Sequence, residues 1–359
     1  MKVVLAGGGT GGHVYPALAM GDALKARGHE VVYAGAADRL EGRVAPDRGY
    51  DFHPVTAPQF PRSGLARKIG FAGSLAGAIL RSRALLGEVK PDLVLGVGGY
   101  IMAPTVLAAW TLGVPRAIHE ANVAPGMANK LCARVSDLVF TTYEKTRGRL
   151  PGSAPKETVG CPVNPKILKG DREAALARYG LSPDKPVAMV VGGSLGAATL
   201  NAVALAAARM TNRPWQLLWI TGPRYHEEAS RDLGAVPPGV AVVGYEDRMG
   251  DAYAAADIAI CRAGSSTLSE LTAVGLPSLL IPSPNVTENH QEANARGLEE
   301  IGAALVMVES KLDVNAALDT ITDLLADRER LTEMGGSARS QGRLGVAEQV
   351  ASRLEQLIG

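Results

Sequence analysis

Val4-Leu5-Ala6-Gly7-Gly8-Gly9-Thr10-Gly11-Gly12, near the start of the sequence, decides how the rest is read. A short apolar run ends in a glycine-dense turn. The helical pattern that follows puts Met20 and Leu24 on one face and ends at Gly28. Val190-Val191-Gly192-Gly193-Ser194-Leu195-Gly196-Ala197 repeats the pattern in the second half. Strand, glycine turn and helix, occurring twice, predict two Rossmann-like halves in tandem.

Further strand candidates lie on both sides of these stretches. Lys2–Ala6, Glu30–Tyr33, Asp92–Val97, Arg116–His119 and Leu138–Thr141 form one set. Val187–Val191, Gln216–Ile220, Val240–Val243, Asp257–Cys261, Ser278–Ile281 and Ala304–Val308 form the other. They alternate with longer helical patterns and are nearly continuous in apolar residues. That predicts an α/β chain whose parallel sheets are covered by helices on both faces. Two prolines and a glycine interrupt the pattern between Val159 and Pro165. The expected domains are 1–160, 161–340 and a terminal helix in 341–359. The last carries Val346, Val350, Leu354 and Leu357 at helical spacing and is expected to pack back on the first domain.

The chain has 359 residues, which suits two domains. With 47% hydrophobic and 20% charged residues it is neither disordered nor fibrous. Lys and Arg number 37 against 36 Asp and Glu, and a net charge of +1 argues against a general nucleic-acid partner. Cys132, Cys161 and Cys261 are far apart with no CxxC, which indicates neither a disulfide framework nor a thiolate zinc site and suits a reducing compartment. No segment reads as a membrane span, and the first residues read as a core strand rather than a signal peptide.

Glycines after a strand let backbone amides approach a phosphate or sugar, and the helix start adds partial positive charge; the plain alternative is a tight turn without a ligand. A P-loop needs Gly-Lys-Ser/Thr, and neither loop has that lysine. A dinucleotide site wants an acid ending the second strand, but Glu30 stands at its beginning and Asp38 beyond its end. A nucleotide-sugar site served by both glycine loops is the remaining reading. His13 follows the first loop directly, where a helix start favours a neutral imidazole able to accept a proton; a capping or core histidine is the alternative. Cys261–Glu270 also runs from a strand into a helix. Thr267 and Glu270 there form a capping box, or else the helix start holds a diphosphate and Glu270 accepts ribose hydroxyls. The histidines show no metal-ligand spacing and Asp-x-Asp is absent, so no metal and no cofactor are expected.

In order, the chain carries Gly8-Gly9-Thr10-Gly11-Gly12-His13-Val14-Tyr15-Pro16, Gly98-Gly99-Tyr100 and His119-Glu120-Ala121-Asn122. Gly192–Ala197, Cys261–Glu270 and His290-Gln291-Glu292-Ala293-Asn294-Ala295 follow. This series resembles the MurG family across nearly the whole chain. The resemblance implies a GT-B fold with two Rossmann-like domains facing a central cleft, and an inverting, metal-independent hexosyltransferase of peptidoglycan synthesis. The implied donor is UDP-N-acetylglucosamine. The implied acceptor is the C4 hydroxyl of undecaprenyl-diphosphate-linked N-acetylmuramoyl-pentapeptide. Matched residue by residue, Ser194, Ser265, Ser266, Thr267, Leu268, Ser269, Glu270 and Gln291 bind the donor, with Glu246 holding uracil through its backbone. Thr10, Gly11, Gly12 and Asn122 reach the donor from the other domain. His13, Tyr100 and Asn129 line the acceptor, with His13 as general base. The family's hinge arginine is missing: Asn164 stands in its place and Lys166 is the nearby cation. Leu195 replaces a common polar residue. A UDP-N-acetylglucosamine epimerase or another UDP-sugar transferase is the alternative enzyme, and a nucleotide-binding membrane scaffold the non-enzyme reading.

An acceptor at the bilayer calls for a membrane face. The segment Arg62–Arg83 has Arg62, Arg67, Lys68, Arg81 and Arg83, no acid, and Leu65, Ile69, Phe71, Leu75, Ile79 and Leu80 between them. It suits the cytoplasmic face of a bacterial inner membrane, with an ordinary helix packed on the sheet as the alternative.

Overall fold

The structure, a computed structural model, describes residues 1–59 and 65–359, with side chains for all of these except 65–69 and 287. The chain forms two compact units, Met1–Val163 with Gly345–Gly359, and Asn164–Leu344.

In the first unit strands and helices alternate: β1 (Lys2–Ala6), α1 (Gly11–Ala26), β2 (Glu30–Gly35), α2 (Leu40–Asp47), β3 (Asp51–Pro54), α3 (Leu65–Val89), β4 (Leu93–Gly96), α4 (Met102–Leu112), β5 (Arg116–Glu120), α5 (Met127–Ala133), β6 (Leu138–Thr141), α6 (Glu144–Arg147) and β7 (Lys156–Thr158). Among the described residues they build a parallel sheet of order β3-β2-β1-β4-β5-β6-β7. Val4 pairs with Val32 on one side and Val94 on the other.

The period of two decides which face each residue covers. Val3, Leu5, Tyr33, Leu95 and Phe140 point to one face, against Leu18 and Leu24 of α1. Val4, Ala6, Val32, Val94 and Ile118 point to the other, against Leu86 of α3 and Met102 and Val106 of α4.

The second unit continues α7 (Arg172–Tyr179), β8 (Val187–Val191), α8 (Ala198–Ala208), β9 (Gln216–Ile220), α9 (His226–Leu233), β10 (Val240–Val243), α10 (Met249–Ala255), β11 (Ile258–Cys261), α11 (Ser265–Val274), β12 (Ser278–Leu280), α12 (His290–Glu299), β13 (Ala304–Val306), α13 (Val314–Ala326) and α14 (Arg328–Ser340). Its described sheet is parallel with order β10-β9-β8-β11-β12-β13. The helix α15 (Val346–Ile358) belongs to the first unit, where Val346, Val350 and Leu354 join the core beside α1.

Both sheets reverse direction of travel at one place, between β1 and β4 and between β8 and β11. In such sheets ligands bind outside the carboxyl ends of the strands at that switch point. Each glycine loop leaves the first-formed strand of its pair, so both stand at switch points.

Candidate functional site

In the first unit the switch point is built from backbone pressed on backbone. Gly8 N donates to Gly98 O at 3.4 Å, tying the loop after β1 to the loop after β4. Thr10 is the N-cap of α1 in extended conformation, and its carbonyl accepts from His13 N at 3.0 Å. His13 is thus in the first helical turn. A side chain on Gly98, whose φ is +96°, would stand 2.5 Å from His13 Nδ1, so only glycine lets the ring lie there. Nδ1 is buried against that glycine. Tyr100 closes the same turn after β4.

A carboxylate supports the loop from behind. Glu41 of α2 is fully buried and accepts from Gly9 N at 3.0 Å and Ala36 N at 3.2 Å. A β-carbon on Gly8 would strike it. Its position after Leu40 in a helical stretch gives no sequence signal of this role.

The next loop along the sheet is organised by Glu120, at the end of β5. Its carboxylate accepts from Asn122 N at 2.8 Å, Gly126 N at 3.1 Å and Asn129 Nδ2 at 2.5 Å. Asn122 and Asn129, seven positions apart, therefore meet on one acid. Burial pushes the Glu120 carboxyl up to about 7, against the pull of these donors. In the sequence, the one signal of this role is an acid ending an apolar strand. The neighbouring His119 is buried, its Nε2 lies 2.8 Å from Gly160 O, and burial lowers it to about 4.

In the second unit the donor candidates line one edge of the sheet. Glu246 follows β10, Ser194 follows β8, Ser265–Glu270 follow β11 and Gln291 follows β12. Four strand spacings separate the outermost loops, about 19 Å. Ser194 is exposed, as is Leu195. The Glu246 carboxylate is buried and fully engaged, with Arg178 Nη2 at 3.1 Å, Tyr179 Oη at 2.7 Å and Arg248 N at 2.7 Å. Only its backbone remains for a ligand.

Thr267 and Glu270 do not form a capping box. Helix α11 begins at Ser265 with Gly264 as N-cap, so Thr267 is already its third residue. The carboxylate of Glu270 instead accepts from Tyr253 Oη at 2.5 Å through Oε2, leaving Oε1 for another donor. Burial raises this carboxyl to about 7, opposed by the tyrosine bond.

The first-turn amides of α11 have no intrahelical acceptor. Ser266 Oγ is buried and finds no partner among the described residues. Leu268, by contrast, has a buried side chain and an amide already bonded to Gly264 O at 3.0 Å. Gln291 accepts from Ser283 N at 2.9 Å, which leaves its amide nitrogen to donate. It follows Glu288 and Asn289, two left-handed residues with φ of 55° and 50°. Such backbone costs of order 1 kcal/mol or more per residue and concentrates at ligand sites. At the hinge, Asn164 caps a turn by accepting from Lys166 N at 3.0 Å. Among the described residues no cluster of three or more His, Cys, Asp or Glu side chains is placed to hold a metal ion.

Residues 3–141 match the model of the glycosyltransferase family 28 N-terminal domain, and residues 187–350 that of its C-terminal domain. The UDP-N-acetylglucosamine--N-acetylmuramyl-(pentapeptide) pyrophosphoryl-undecaprenol N-acetylglucosamine transferase of Salinibacter ruber is 39% identical over 354 residues, covering 97% of this chain and 95% of that protein. The crystal structure of Acinetobacter baumannii MurG superposes with a TM-score of 0.79 and 28% identity over 99% of each chain. A putative UDP-N-acetylglucosamine 2-epimerase from Listeria monocytogenes superposes with a TM-score of 0.70, covering 99% of this chain and 97% of that one. At 16% identity that second likeness is one of fold alone, and it shows that the fold does not choose between transfer and epimerisation.

Proposed function

The chain belongs to the MurG family of family 28 glycosyltransferases, with its GT-B class of fold, and on that premise we propose that it moves N-acetylglucosamine from UDP-N-acetylglucosamine to lipid-linked N-acetylmuramoyl-pentapeptide. The observation that carries this reading is the near-complete extent of the relationship, which includes both switch-point loops. The acceptor C4 oxygen attacks the anomeric carbon as the bond to UDP breaks, with inversion. His13 Nε2 takes the hydroxyl proton, a role worth about 10²–10⁴-fold. The donor diphosphate gathers charge as it leaves. The α11 amides and the Gly192–Ala197 loop meet that charge with fixed dipoles. Glu270 Oε1 accepts from the ribose, and Gln291 donates to the transferred sugar. Asn122 and Asn129, held on Glu120, orient sugar groups from the first unit, as do Thr10, Gly11, Gly12 and Tyr100.

A membrane face on the first unit brings the enzyme to its lipid acceptor at the cytoplasmic side of the bilayer. No helix among the described residues is long and apolar enough to cross a membrane. Of the segment Arg62–Arg83, residues 62–64 and the side chains of Leu65, Arg67, Lys68 and Ile69 lie outside the described set. The rest is helix α3, whose Ala78 and Leu86 are buried in the core while Leu80 is 66% exposed. Arg83 Nη1 donates to Thr111 Oγ1 at 2.5 Å, which sets this turn beside Trp110, 52% exposed, and Leu112. Exposed apolar side chains with Arg81 and Arg83 on the same helix suit anionic headgroups.

Incubation with UDP-N-acetylglucosamine alone separates the two enzyme readings. The sugar is expected to return unchanged; conversion to its C2 epimer would establish the epimerase instead.

A further inference from the structure

Glu309 lies outside every motif that marks the site, in a short turn after the edge strand β13. Its carboxylate nevertheless reaches the donor loops. Oε1 accepts from Thr199 Oγ1, in the first turn of α8. Oε2 accepts from Arg262 Nη1 at 2.5 Å, in the turn between β11 and α11. The same guanidinium nitrogen donates to Ile281 O at 2.9 Å, at the end of β12. Two residues further on, Ser283 N bonds to Gln291.

Sheet geometry alone does not bring these groups together. In the order β8-β11-β12-β13, the strands leading to Thr199 and Glu309 are three spacings apart, about 14 Å. The side chains bridge that distance over the carboxyl ends of β11 and β12, and they touch the loop of each strand on the way. Thr199 anchors the glycine loop that carries Ser194, Arg262 anchors the start of α11, and Ile281 anchors the loop leading to Gln291.

Both charged groups are mostly buried, with side-chain exposures of 14% for Arg262 and 20% for Glu309. Burial alone would raise the Glu309 carboxyl, but the bonds from Arg262 and Thr199 outweigh it and hold the group below the usual carboxylate range. The charge of Arg262 is thereby paired within the fold. Its work is to fix loops, and the diphosphate is left to the backbone amides.

We propose that Glu309 is a positioning residue for the nucleotide-sugar donor: with Arg262 and Thr199 it sets the spacing of the three loops that hold diphosphate and sugar. This rests on the reading of the second unit as the UDP-N-acetylglucosamine site. A change that only loosened the fold would lower thermal stability without favouring one substrate. A change in loop spacing weakens the donor and spares the acceptor.

The test is calorimetric binding of UDP-N-acetylglucosamine together with steady-state kinetics for both substrates, on wild type, Glu309→Ala, Thr199→Val and the double variant. Glu309→Ala is expected to raise donor Kd and donor KM about tenfold or more, with acceptor KM within about twofold. Thr199→Val is expected to raise donor Kd about threefold, and the double variant to match Glu309→Ala, because both act through one bridge. If Glu309→Ala does not fold, Thr199→Val, which removes one hydroxyl, decides on the same criterion. Donor affinity unchanged in folded variants would overturn the proposal, as would equal losses for donor and acceptor. Wild type that fails to bind the donor at all would instead overturn the functional reading on which it rests.

Discussion

His13 stands in the first turn of α1 with its Nδ1 against Gly98, so a single substitution tests its chemistry. His13→Ala is expected to lower kcat about 100-fold or more, while calorimetric affinity for UDP stays within about twofold. Turnover like wild type would remove His13 from the base role. Glu270 gives a pH signature. Its carboxyl, raised to about 7 in the folded chain, is neutral over a range where an ordinary glutamate is ionised. Ribose hydroxyls donate best to the ionised form, so donor binding draws the proton off. Affinity for UDP-N-acetylglucosamine should rise with pH from one unit below that value to one unit above. The rise should vanish in Glu270→Gln, as read by calorimetry across pH; a slope retained in Glu270→Gln would assign it elsewhere. Stability moves the opposite way. The unfolded chain loses this proton from about pH 4.5 and the folded chain only near 7, so the folded state loses stability as pH rises between those values, and Glu120 adds to the same trend.

The helices and strands show what the sequence pattern carries. β1, β6, β8, β9 and β10 fall on the expected residues because each is an apolar run buried on both faces or nearly so. The edge strands β3 and β7 have no such run: Asp51–Pro54 and Lys156–Thr158 are half-exposed and polar, so periodicity could not mark them. The capping-box spacing also fits inside a helix that begins two residues before Thr267, at Ser265. Glu41 and Glu309 are illegible for a shared reason: each acts through contacts with residues distant in sequence, which only the sheet order brings near. The pairing of α3 with α4 through Arg83 and Thr111 is likewise a product of packing, and each helix leaves an apolar side chain exposed, Leu80 on one and Trp110 on the other. Leu80→Glu with Trp110→Glu is expected to reduce co-sedimentation with anionic vesicles at least fivefold and to leave UDP affinity unchanged. Undiminished co-sedimentation of the folded double variant would move the membrane face elsewhere.

At the scale of the molecule, each unit closes its own core and builds a switch point from the same strand order, β2-β1-β4-β5 in one and β9-β8-β11-β12 in the other. The first unit sets His13 at a helix start and holds Asn122 and Asn129 on one acid. The second offers a helix start, a raised carboxyl and a braced set of loops. The central claim is therefore that sugar leaves the nucleotide for a lipid-linked muramoyl acceptor. The direct measurement supplies the purified chain with UDP-N-acetylglucosamine radiolabelled in the sugar, with and without undecaprenyl-diphosphate-linked muramoyl-pentapeptide, and follows both UDP release and label in the lipid fraction. The account expects label in the lipid in one-to-one proportion to UDP, dependent on the acceptor. UDP-sugar turnover without label in the lipid, at any acceptor concentration, would contradict it.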